Sequence, residues 1–190
     1  MKKRINFNKI AEILFKKIKI PNKKLKGKYF VIFVGVPGSG KTTIAKRLSK
    51  KYGFCRVSTD SIKNYLRKYN YSFEIKDLFK IQRKIFHKLL EKEINIISDS
   101  NSDLKKYRTS LKKLARSKGY KSIVIYIKVS TDVAYHRIIK KKKLIKSKSW
   151  YKKLINLQNN LEIPRKAIKI NGDLKKEIIF KNIYKNFSLF

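Results

Sequence analysis

Acid is what this sequence lacks most. Against 51 lysines and arginines it carries 12 aspartates and glutamates, a formal net charge of +39 over 190 residues. Lysine, isoleucine, asparagine, tyrosine and phenylalanine are heavily used and alanine, glycine and proline are scarce, the residue usage of AT-rich coding. Such coding does not require acids to be few, and a field this positive attracts polyanions. Cysteine occurs once, at Cys55, which excludes a disulfide or thiolate-metal framework; its apolar surroundings suit a buried thiol. No apolar run approaches the ~18 residues needed to cross a bilayer. Charges interrupt any signal-peptide core in the basic N-terminus. The expected setting is therefore soluble and cytoplasmic, with no membrane span.

Glycine is scarce too, yet three of the seven, Gly35, Gly38 and Gly40, fall within six residues. The stretch Gly35-Val36-Pro37-Gly38-Ser39-Gly40-Lys41-Thr42 has the G-x-x-x-x-G-K-[ST] spacing of a phosphate-binding P-loop. Its flanks read as a buried strand, Phe30 to Val34, and a helix, Lys41 to Lys51. A phosphate would sit on the N-terminus of that helix, where N–H groups lack carbonyl partners and the dipole is positive. In this pattern the nucleotide is held by Gly35, Pro37, Gly38, Ser39, Gly40, Lys41, Thr42 and Thr43. The Lys41 ammonium reaches the β/γ-phosphates and the Thr42 hydroxyl holds Mg²⁺.

Along the rest of the chain, strand-like and helix-like segments alternate. Residues 6–19 place Phe7, Ile10, Leu14 and Ile18 at helical spacing. That face is expected to pack on the sheet, the alternative being a basic helix lying on a membrane surface. A basic connector, 21–28, leads to the first strand. Further strands are expected at Phe54–Ser58, Ile94–Asp99, Ser122–Val129 and Lys166–Ile170. Helices are expected at 59–68, 73–93 (with Ile75 on its apolar stripe), 103–118, after Ser130-Thr131-Asp132, at 149–161 and at 174–187. This alternation requires a parallel sheet with right-handed crossovers and helices on both faces, an α/β fold. In such folds ligands bind beyond the carboxyl ends of the strands. The P-loop, Asp60 and Asp99 all follow strand ends.

Phosphoryl transfer to a hydroxyl needs a metal on the phosphates and a carboxylate to take or orient the hydroxyl proton. Asp60 is placed for the latter, or else it caps the following helix. Asp99 ends its strand in the manner of a Walker B acid, holding Mg²⁺ or orienting a cation such as Lys63. Arg137 precedes a lysine run; it is either a lid guanidinium for the transferring phosphoryl or a surface arginine.

GVPGSGKTT, then STDSIK about fifteen residues later, then IISDSN, resemble the P-loop, the D-x-x-R acid motif and the D-[TS]-N strand end of the polynucleotide-kinase-like P-loop kinases. His136-Arg137 and Asn160-Leu161-Glu162-Ile163-Pro164 also look like that family, and the resemblance spans roughly residues 28–185. It implies a three-layer P-loop NTPase fold with five strands in order 2-3-1-4-5, and ATP with Mg²⁺ as donor. By position it implies Asp60 as general base and Lys63 in the place of the acceptor-binding arginine. It implies Asp99, Ser100 and Asn101 near the acceptor and Arg137 as the cation of a lid at about 136–150. Lys63 departs from the pattern, because lysine cannot make arginine's bidentate fork. The domain reading is an N-terminal helix and connector, 1–27, followed by a P-loop kinase domain, 28–190. Catalysis is expected from Lys41, Asp60 and Arg137. The expected function is that of an ATP-dependent phosphotransferase acting on a nucleic-acid 5′-hydroxyl, RNA or DNA. A small-molecule or nucleotide kinase, and a nucleic-acid-binding NTPase switch without transfer, are the alternatives.

Overall fold

The computed structural model describes residues 3–22, 25–100, 102–142 and 148–187. In chain order the elements are α1 (Phe7–Lys16), β1 (Tyr29–Val34), α2 (Lys41–Tyr52), β2 (Cys55–Ser58), α3 (Thr59–Lys68), α4 (Ile75–Glu91) and β3 (Ile96–Asp99). Then follow α5 (Lys105–Arg116), β4 (Lys121–Lys128), α6 (Thr131–Lys142), α7 (Lys148–Asn159), β5 (Ile168–Asn171) and α8 (Lys176–Phe187). The strands form one five-stranded parallel sheet in the order β2-β3-β1-β4-β5. β1 is its central strand, and Phe30 through Val34 are all fully buried, as a strand covered on both faces must be. Among the described residues no helix is long and apolar enough to cross a membrane.

Two compact units divide the chain. The first holds α1, most of α2, β2, α3, α4 and β3. Here β2 and β3 pair in parallel with Ser58 opposite Asp99. Phe30 meets Phe86 edge-on with ring centroids 5.0 Å apart, and the buried Gln82 of α4 donates to the Val57 carbonyl at 3.1 Å. The helix α1 packs on α4 rather than on the sheet, burying Ile10 and Ala11. Lys88 of α4 pairs with Glu12 at 2.5 Å and lies over the Phe15 ring. Ahead of α1, Lys3 bridges to the α3–α4 connection, donating to Asn70 and accepting from Ser72. Ile75, expected on the apolar stripe of α4, is 75% exposed because it is the first residue of the helix, one turn before the stripe reaches its partners.

The second unit holds the P-loop with the start of α2, most of α5, nearly all of β4, and α6, α7, β5 and α8. In it β4 and β5 pair in parallel from Ile125 opposite Ile168. Helices α6 and α7 form a hairpin whose core is Val129, Ala134, Ile138 and Leu154, together with Val36 of the P-loop. Gln158 of α7 donates to the Val129 carbonyl at 3.0 Å, and the Ser130 hydroxyl caps α6 by accepting from Val133.

Candidate functional site

The P-loop turn is built by conformations that only glycine adopts easily. Gly38 has φ +83°, and a Cβ there would lie 2.4 Å from the Ala134 carbonyl oxygen of α6. Gly35 has φ +145°, and a Cβ there would meet the Ile127 carbonyl oxygen of β4 at 2.7 Å. The loop is thus pressed between β4 and α6, and any side chain at either position would force them apart. Ser39 donates its N–H to the Val36 carbonyl at 3.1 Å, closing the turn, and α2 starts at Lys41. The first N–H groups of α2 therefore have no preceding helical carbonyl and carry the positive end of its dipole.

Lys41 is only 8% exposed, and its Nζ donates to the Gly35 carbonyl and, at 2.9 Å, to the Val36 carbonyl. A buried ammonium calls for negative charge nearby. Thr42 is half-buried and Thr43 exposed on the first turn of α2. Arg137 of α6 donates to the Gly172 carbonyl at 2.8 Å. Gly172 itself abuts the loop, since a Cβ there would lie 3.3 Å from the Ser39 carbonyl oxygen. Arg137 is therefore a partly buried residue tied to the strand end beside the P-loop, and not a free surface arginine.

Two residues of this unit that sequence reasoning did not assign to the site, Asp103 and Arg108, are linked to it electrostatically through Lys41. Asp103, half-buried, has a buried Oδ1 without a hydrogen-bond partner among the described residues. Burial raises its pKa, against the lowering pull of Lys41 and Arg108. Arg108 of α5 is 5% exposed and donates to the carbonyls of Ser102 (2.8 Å), Asp103 (2.5 Å) and Glu162 (2.6 Å). The Glu162 carboxylate in turn accepts from the Lys105 N–H. A sequence signal for Arg108 existed: it shares a helical stripe with the buried Leu111 and Ala115, where an apolar residue is the rule.

In the first unit, Asp60 stands exposed in the first turn of α3. It is not the cap: Ser58 is, its side chain accepting from Ser61 N–H at 3.4 Å. Among the described residues neither Asp60 nor Lys63 is held by a hydrogen bond or ion pair. Asp99 is 5% exposed and forms an ion pair with Arg56 of β2. The cation it orients is thus Arg56 instead of Lys63, and a metal ion would have to displace that guanidinium from Oδ2. Ser100 is buried with its hydroxyl 3.0 Å from that of Ser98. Asn101 lies outside the described residues, as do Lys23, Lys24 and the lid residues 143–147.

Among the described residues no group of three or more His, Cys, Asp or Glu can hold a metal by itself. The oxygens on the Lys41 side, the Thr42 hydroxyl and the Asp103 carboxylate, are hard donors of the kind Mg²⁺ takes together with substrate phosphates. They fit an ion that arrives with a nucleotide.

A family model described as an AAA domain matches residues 30–162. No curated protein matches the chain. Among solved structures, a gluconokinase from Sinorhizobium meliloti is similar at 15% identity, over 88% of this chain and 98% of that one, with a TM-score of 0.56. A sugar kinase from Janibacter sp. is similar at 16% identity over 86% and 95%, with a TM-score of 0.60. The APS kinase of Mycobacterium tuberculosis, solved with AMPPNP and APS, is similar at 16% identity over 86% and 99%, with a TM-score of 0.58. At these identities the likeness establishes the fold, a P-loop kinase fold, and does not single out the polynucleotide-kinase-like group.

Proposed function

The chain belongs to the AAA domain family, and from that membership we propose that it is an ATP-dependent phosphotransferase, moving the γ-phosphoryl group to a hydroxyl. The observation that carries this reading is the buried Lys41 at the head of α2, in a glycine turn wedged against β4 and α6. In the proposed reaction the amides of Gly38, Ser39 and Gly40 cradle the phosphates, with Gly35 and Pro37 shaping the turn. Lys41 exchanges its loop carbonyls for phosphate oxygens. Thr42 would hold the Mg²⁺, which would supply positive charge to neutralise the negative charge developing on the transferring phosphoryl group. Arg137 leaves Gly172 to meet the transferring group. Asp60, relieved of capping by Ser58, accepts the acceptor's proton. Asp99 keeps Arg56 in place, and Lys63, Ser100 and Asn101 border the acceptor.

For the acceptor we propose a nucleic-acid 5′-hydroxyl, RNA or DNA. Lys140, Lys141, Lys148, Lys152 and Lys153 are exposed on the α6–α7 hairpin, the same hairpin whose core includes Val36 of the P-loop. On it Tyr135, Tyr151, Lys148 and Lys152 line an open pocket of about 490 Å³. Tyrosine faces beside ammonium groups suit a base and its phosphate. A second reading, a small-molecule kinase, is favoured by the similar structures, which are titled gluconokinase, sugar kinase and APS kinase. The test is γ-labelled ATP with 5′-hydroxyl RNA, 5′-hydroxyl DNA, tRNA, nucleosides, aminoglycosides and gluconate. Label on the oligonucleotides is the expected result. Label confined to a small alcohol establishes the second reading, and ATP consumption without labelled product would leave an NTPase switch.

A further inference from the structure

We infer that Asp103 is the carboxylate of the phosphate pocket on the Lys41 side, and that its unpartnered Oδ1 holds the water shell of the Mg²⁺ entering with the nucleotide. The inference rests on the nucleotide-binding reading and adds to it a residue outside the motifs. Mg²⁺ keeps several of its waters and is usually fixed by one or two carboxylates plus substrate phosphates. Among the described residues no side-chain cluster can hold it alone, so a single well-placed acid is what the site needs.

Asp103 meets the need by geometry. Its Oδ1 has lost contact with solvent, and among the described residues no donor replaces the lost water. A stripped carboxylate oxygen is costly unless a donor or cation comes to it. The cations acting on the carboxyl are Lys41 and Arg108, both in its own compact unit, and burial still outweighs them. Its backbone is fixed: Arg108 grips the Ser102 and Asp103 carbonyls and reaches across to Glu162. The neighbouring Ser102 Oγ is fully buried and also unpartnered, as is Ser39 Oγ within the P-loop. Bound waters of a metal would supply donors to oxygens of this kind. Asp99 is less suited, because Arg56 occupies its carboxylate.

Calorimetric binding of AMPPNP to the full chain, with Mg²⁺ titrated from none to saturation, tests the inference. In Asp103→Asn the Mg²⁺ concentration giving half-maximal tightening should rise about 10- to 100-fold, the usual effect of losing an outer-sphere partner. Metal-free AMPPNP binding should equal the parent's or be tighter, since a negative charge beside the phosphates is gone. Asp103→Glu should recover part of the metal response. A purely structural Asp103 would lower both affinities together along with Tm, and that result overturns the inference, as does an unchanged Mg²⁺ dependence. A parent that binds AMPPNP with the ordinary Mg²⁺ response while Asp103→Asn matches it refutes only this assignment. A parent that binds no AMPPNP refutes the nucleotide reading and this one with it.

Discussion

Lys41 and Arg108 are both buried cations, and they have opposite expected phenotypes. Lys41 leans on two carbonyls of its own loop, so Lys41→Ala should leave Tm near the parent's while phosphoryl transfer falls by about 10² or more. Arg108→Met should do the reverse at first order: three carbonyls lose their donor, and urea unfolding should register a loss of about 2–4 kcal/mol. Asp60→Asn separates chemistry from structure. Ser58 already caps α3, so stability should hold while transfer drops about 10²-fold or more with ATP binding retained; transfer at the parent rate would return Asp60 to the surface. Cys55 is buried and its pKa is pushed up to about 12 by desolvation. The folded protein therefore keeps a neutral thiol that iodoacetamide does not label at pH 8. That burial stabilises the fold below about pH 9 and is lost as pH rises toward 12. The P-loop residues were legible because glycines, lysine and threonine at fixed spacing have few other uses. Arg56 and Asp103 were not, because their roles depend on which strands and loops become neighbours. Among 51 basic residues an arginine has no local mark that it will be paired.

At the level of elements, alternation of short apolar runs and amphipathic stretches gave the strand and helix sequence nearly in full. The helix expected at 59–68 is α3 itself, while other boundaries moved by one to three residues where helix ends and strand edges are decided by caps: α4 begins two residues after Phe73, and α1 ends at Lys16 rather than at residue 19. What an amphipathic stripe cannot specify is its partner, which is why α1 was expected on the sheet and lies on α4. Two isoleucines make that difference measurable. Ile10 is 1% exposed and Ile75 is 75% exposed. Ile10→Ala should cost about 2–4 kcal/mol in chemical unfolding, and Ile75→Ala no more than about 0.5 kcal/mol. Equal costs would mean that α1 does not hold its place on α4.

The whole molecule carries a formal charge of +39, and charge of that size draws polyanions whether or not they are substrates. Salt dependence separates the two cases. If the hairpin lysines meet a single strand, each neutralised phosphate contributes about 0.7 to the slope of log K against log salt. Replacing Lys140, Lys141, Lys148 and Lys152 with Ala should flatten that slope by about two to three and raise the oligonucleotide KM while leaving ATP binding alone. An unchanged slope would place the nucleic acid elsewhere on the surface. The most direct test of the central claim, phosphoryl transfer from ATP at the P-loop, is a single assay counting moles of labelled product formed per mole of ATP consumed, for the parent and for Lys41→Ala. The expected result is a ratio near one in the presence of a hydroxyl acceptor, with both quantities lost in the variant. ATP consumed without labelled product, or transfer that survives Lys41→Ala, would contradict it.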